Sequence, residues 1–166
     1  MPAARIQVMP GNHDYYDHVL DGDDRLRGIA EAEGVNFAQE TVVRVGNARF
    51  ICCTLWTDFA LRGPPEWGMA VARENMNDYR FIRLAGREYA RIGPGDVAEI
   101  HWRHRGWIHE QLEQPFDGPT YVASHHAPVS AGAGRSLAIP RPVVRLRPAR
   151  AGPHVPAGGL VLRAYA

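Results

Sequence analysis

Lysine is absent: all 19 basic residues of the 166-residue chain are arginine. That bias points to a GC-rich coding sequence more than to a nucleic-acid-binding face, because the arginines before residue 131 are interleaved with carboxylates. No nucleic-acid partner is expected. Cysteine is scarce, with two residues that are neighbours, Cys52 and Cys53. In a segment rich in β-branched and aromatic residues, strand alternation sends adjacent side chains to opposite faces, so no disulfide framework is implied. Long apolar runs are also missing. The first fifteen residues contain Arg5 but no signal-peptide core, and nothing later approaches the length of a membrane helix, so a soluble, cytoplasmic protein is expected.

Acidic residues are missing from one region altogether. All 18 lie before residue 131, whereas the segment 131–166 carries Arg135, Arg141, Arg145, Arg147, Arg150 and Arg163. After Ser130 there is also no Asn, Gln or Thr, and Arg, Pro, Ala and Gly dominate. Such a stretch cannot easily build a packed layer. Two readings are open for it: a disordered tail, or a GC-rich gene read in the wrong frame. The remainder, residues 1–130, belongs to a chain with 45% hydrophobic residues, enough for one domain with a real core.

Ile6 to Met9 reads as a short strand ending at Pro10-Gly11, where the chain can turn sharply. A helix is expected from Asp24 to Glu33, with Leu26, Ile29 and Ala30 at helical spacing and Gly34 as its stop. Thr41–Val45 and Arg49–Leu55 form a hairpin around Gly46-Asn47-Ala48. Residues 59–94 read as a long excursion with some helix. Gly95 or Asp96 caps a helix running to Glu113, with Val97, Ile100, His104, Ile108 and Leu112 on one stripe. A strand at Thr120–Ser124 then delivers His125-His126-Ala127-Pro128 to a loop. The whole is an α/β pattern.

Two groupings carry chemistry. Gly11-Asn12-His13-Asp14 places a tight turn, a neutral oxygen donor, an imidazole and a carboxylate at the end of a strand. An asparagine carbonyl can bind a divalent ion without adding charge, and a histidine can give a proton to a leaving group while a carboxylate holds it. Taken alone, the tetrapeptide reads more readily as a polar turn with local backbone bonds than as a site. The His125-His126 pair at a strand end is well placed to ligate a metal, although such a pair by itself is more often a satisfied surface or core pair. A shared site needs Asn12 and His125 close together, so the strands ending at Met9 and Ser124 are expected in one sheet.

These two groupings, in this order, resemble the calcineurin-like metallophosphoesterases, in which a strand ends in G-N-H-D or G-N-H-E and a later strand ends in a histidine commonly followed by another histidine and a proline. Thr54-Leu55-Trp56-Thr57-Asp58-Phe59, Met76-Asn77-Asp78-Tyr79-Arg80 and Pro115-Phe116-Asp117-Gly118-Pro119-Thr120 are similar to segments of bacterial members, so the resemblance spans residues 5–130. It implies an α/β sandwich of mixed sheets flanked by helices, a phosphate-ester substrate, and hydrolysis at two divalent ions of Mn, Fe, Zn or Ni. It also implies that Asn12 and His125, rather than His126, ligate one metal, and that His13 is the general acid, paired with Asp14.

The departures from that pattern are equally definite. The family's aspartate-x-histidine and glycine-aspartate motifs precede G-N-H-D, and only ten residues precede Gly11. The closing glycine-histidine-x-histidine motif is met only by Gly152-Pro153-His154-Val155, without its second histidine. An incomplete phosphoesterase domain with impaired activity is therefore expected, with a non-catalytic remnant as the alternative. His101, His104 and His109 lack the spacing of a zinc protease and read as helix residues at an interface. Ser124 beside His125 has no G-x-S-x-G turn around it, which sets a serine hydrolase aside.

Overall fold

A computed structural model describes residues 6–128 and 162–163, and shows a mixed α/β chain with several small sheets. Along the chain run β1 (Gln7–Val8), α1 (Asp24–Ala32), β2 (Asn36–Phe37), β3 (Thr41–Val45), β4 (Ala48–Cys53), α2 (Pro65–Asn75), α3 (Asp78–Phe81), β5 (Arg83–Leu84), β6 (Ala90–Arg91), α4 (Pro94–Glu113), β7 (Thr120–Ser124) and β8 (Leu162–Arg163). Among the described residues no helix is long and apolar enough to cross a membrane.

The β-branched run of β3 pairs antiparallel with β4 in the register Thr41 to Cys52 and Val45 to Ala48, around a turn in which Gly46 takes φ +58°, a value that favours glycine. β7 joins β4 in parallel, with Arg49 opposite Thr120 and Cys53 opposite Ser124, so the sheet order is β3-β4-β7. β4 is thus central and buried on both faces. Cys52 packs with Met9, Ala38 and Ala123, whereas Ile51 and Cys53 pack with Leu55 and Ile108 of α4. The expected alternation of the two cysteines holds, and both are free thiols, pushed up to about 11 and about 12 by burial.

β4 stops at Cys53 instead of running on to Leu55. Leu55 and Trp56 take φ +69° and +52°, which breaks strand geometry and sends their side chains into separate cores, Leu55 beside Ile108 and Trp56 beside Tyr15. The second sheet has the order β2-β1-β8, all parallel. Strands ending at Met9 and Ser124 therefore lie in different sheets, contrary to the sequence expectation. β1 already has a partner on each side, so it offers no edge to β7, which ends the other sheet. Their ends meet across the sheets instead, with Met9 and Ala123 in one buried cluster.

Residues 59–94 fold back on the first turn of the chain. Phe59, Ala72, Tyr79, Ile82, Leu84 and Ile92 form a second core with Tyr15, Leu20, Trp56 and, from α4, Val97 and Ile100. α4 starts at Pro94 with Gly93 as its cap, two or three residues before the expected cap at Gly95 or Asp96. Asp96 does not sit at the cap but one turn inside, reaching back so that its Oδ2 accepts the Gly93 N–H at 2.7 Å. The buried stripe of α4 ends at Ile108 and leaves Leu112 exposed, and on α1 Ile29 is exposed while Ala30 is buried.

Candidate functional site

After β1 the chain turns at buried Pro10 and Gly11 into a single 3-10 turn, Asn12–Tyr15. Asp14 closes it: its Oδ2 accepts the Gly11 N–H at 2.7 Å, and the Asp14 N–H donates to the Gly11 carbonyl at 3.3 Å. The carboxylate expected to pair with His13 thus holds the backbone of the turn. His13 is exposed, its ring 4.7 Å from that of Tyr16.

The other half comes from β7. Beyond Ser124 the chain bends sharply: the Ser124 hydroxyl donates to the His126 carbonyl at 2.7 Å, and the His126 N–H donates to the Thr54 carbonyl at 3.1 Å. That bend separates the two imidazoles, whose planes stand at 82°. His126 stacks on Trp56 and its Nδ1–H donates to the Thr54 carbonyl at 3.3 Å; burial lowers its pKa to about 3. It borders a cavity of about 700 Å³ lined also by Trp56, His101, Ile108 and Leu112, and Asn12 and His125 are not part of that lining.

His125 instead lies over Gly11. A Cβ on Gly11 would stand 2.7 Å from its Cε1, so only glycine lets the imidazole approach the turn this closely. From there Nε2–H donates to Asn12 Oδ1 at 3.1 Å, joining residues 113 positions apart. The Asn12 amide is held at its other end, where Nδ2 donates to Asp78 Oδ1 at 2.9 Å; Tyr16 OH donates to the same oxygen at 2.8 Å. Burial, the hydrogen bond to Asp78 and the Asp78 charge all raise the Tyr16 pKa, keeping it a donor. Burial lowers the His125 pKa, with the charges of Asp14 and Asp78 pulling it back up and that of His13 adding to the fall. The tautomer that donates from Nε2 leaves the lone pair of the ring on Nδ1. That Nδ1 is buried and has no hydrogen-bond partner among the described residues.

A buried polar chain ties the two halves together. Thr54 donates its N–H to Gln39 Oε1 at 2.8 Å, and its single hydroxyl proton reaches the Pro10 carbonyl at 2.8 Å. The Thr54 carbonyl serves His126, so one residue touches both turns.

Two donors at about 2.1 Å from one cation and roughly 90° apart lie about 3 Å from each other. The Asn12 Oδ1–His125 Nε2 contact of 3.1 Å fits that spacing; a cation held there would take the place of the Nε2 proton, which Nδ1, buried and without a partner among the described residues, would then carry. The residues present therefore fit two ligands of a single ion. They do not fit a two-metal cluster, because among the described residues no three His, Cys, Asp or Glu side chains gather to hold a metal.

The remaining candidates lie elsewhere. His101 Nδ1–H donates to the Leu55 carbonyl at 3.0 Å, buried His104 sits 3.3 Å from the Arg103 guanidinium, and His109 is paired with Glu113 at 3.3 Å on the surface. Gly152-Pro153-His154-Val155 lies outside the described residues. Asp78, Tyr16, Gln39 and Thr54 were not legible as site residues; the segment Met76–Tyr79 has no period that would mark Asp78 as buried. No protein-family model, no curated protein and no solved structure matches this chain.

Proposed function

We propose that residues 5–130 are the core of a phosphate-ester hydrolase of the calcineurin-like metallophosphoesterase type, an α/β sandwich whose site lies where Gly11–Asp14 meets His125. The single observation supporting this reading most is the seating of His125 over Gly11 with Nε2 3.1 Å from Asn12 Oδ1. Two turns that resemble the family's motifs, remote in sequence, come together with a neutral oxygen and an imidazole side by side. A merely polar turn at Gly11–Asp14 would not require a buried histidine from another sheet.

In this reading Asn12 Oδ1 and His125 hold one divalent ion of the Mn, Fe, Zn or Ni class. Bound ions would neutralise charge developing on the phosphoryl oxygens. His13, exposed beside Tyr16, donates a proton to the leaving-group oxygen, and Asp14 fixes His13 through the backbone of the turn rather than through its ring. Among the described residues no three His, Cys, Asp or Glu side chains gather to hold a metal, so weak metal binding and low or absent turnover are proposed for the chain as it stands. That same lack favours a second reading, a non-catalytic core that keeps the family's shape.

Calorimetry with Mn²⁺, run beside hydrolysis of p-nitrophenyl phosphate and its diester, separates the two. Weak one-site binding that Asn12→Ala and His125→Ala each abolish supports the site; turnover of either ester lost in the same variants marks the hydrolase, and binding without turnover marks the non-catalytic core. Binding untouched by either substitution removes the site.

A further inference from the structure

An asparagine side chain has two ends of nearly equal shape, and only its oxygen can hold a cation. Something must decide which end faces His125. Asp78 is 2% exposed, and a carboxylate only accepts hydrogen bonds, so the amide group of Asn12 must turn its NH₂ toward Asp78 and its oxygen the other way. We infer that Asp78 is the positioning residue of this site, setting the direction of the Asn12 amide from 66 positions away in sequence. This inference rests on the reading of Asn12 as a cation ligand.

A role confined to α3 does not account for the contacts. Asp78 opens a four-residue helix, yet its Oδ1 takes two tertiary donors, Asn12 Nδ2 and Tyr16 OH, from the turn after β1. The second of these fixes Tyr16, whose ring stands 4.7 Å from that of His13 and 5.3 Å from that of Phe81, another residue of α3. The Asp17 N–H also donates to the Phe81 carbonyl at 3.1 Å. One buried carboxylate thereby orients the proposed ligand directly and the proposed acid through Tyr16. It also gives the excursion at 59–94 a purpose: it brings α3 under the turn.

The test uses the whole chain labelled with ¹⁵N, the Asn12 side-chain amide signals, and Mn²⁺ as the probe. Asp78→Asn keeps the shape but can donate or accept, so it no longer dictates the Asn12 orientation. The Asn12 amide signals should shift and Mn²⁺ affinity should fall about tenfold or more, the usual effect of losing an outer-shell partner, while the backbone spectrum stays folded. The exchange Asn12→Asp with Asp78→Asn restores a donor facing an acceptor and turns a carboxylate oxygen toward His125. Its Mn²⁺ affinity should equal or exceed that of the unaltered chain, whereas Asn12→Asp alone sets two carboxylates together and should lower Tm.

Unchanged Asn12 signals and unchanged affinity in folded Asp78→Asn overturn the inference. If that variant does not fold, the double exchange decides: failure to recover fold and Mn²⁺ affinity overturns it. If Mn²⁺ leaves Asn12 and His125 undisturbed in the unaltered chain, the cation reading fails, and the Asn12 amide signals alone still show whether Asp78 sets their direction.

Discussion

In the proposed site Asn12 and His13 are neighbours with different tasks, and substitution should separate them. On any phosphate ester the protein turns over, His13→Ala should lower the rate by roughly 10²–10⁴, the usual share of a positioned general acid, with metal content unchanged. Asn12→Ala should lower metal content and rate together. Loss of metal in His13→Ala, or unaltered turnover, contradicts the division of roles. Gly11 offers a sharper steric test. Because an added Cβ would lie 2.7 Å from the His125 ring, Gly11→Ala should displace the imidazole and cost about 1–3 kcal/mol in denaturant unfolding. A variant with unchanged stability and an unmoved His125 would show that the seat is looser than described.

α4 carries its signal in the spacing of its apolar residues. Its apolar spacing identifies Val97, Ile100, His104 and Ile108 as one buried stripe, and the structure agrees. The start differs because Asp96 acts from inside the helix, and Leu112, one turn beyond Ile108, the last buried residue of the stripe, is exposed. Spacing alone does not reveal the state of His104. Burial lowers its pKa to about 3, and the charges of Arg103, His101 and His126 push the same way; Glu40 Oε2 faces its Nε2 at 3.9 Å. Unfolded, the imidazole takes up a proton near pH 6.5, so the unfolded state binds more protons between that value and about 3. Stability is complete above pH 6.5 and is lost as pH falls, by roughly 1 kcal/mol per unit for this group. His104→Gln should flatten that slope in urea titrations at pH 7, 6 and 5. An equal slope in both proteins would mean that His104 is not held neutral.

At the scale of the molecule, the sequence places the chemistry at two strand ends but does not show how they meet. The hairpin, α1, α4 and β7 were legible because apolar period and turn glycines are local signals. The meeting of Met9 and Ala123 across two sheets was not, since it depends on which edges are already paired. Asp78 was invisible for a related reason: its burial comes from a tertiary contact with Asn12 and Tyr16 and leaves no mark in the local pattern. In the proposed site Asn12 and His125 share one cation. Anomalous diffraction from crystals soaked in MnCl₂ locates it. One anomalous peak is expected about 2–2.3 Å from Asn12 Oδ1 and from a ring nitrogen of His125. A peak elsewhere, or none, with Asn12 Oδ1 and His125 Nε2 still hydrogen-bonded at 3.1 Å, would contradict it.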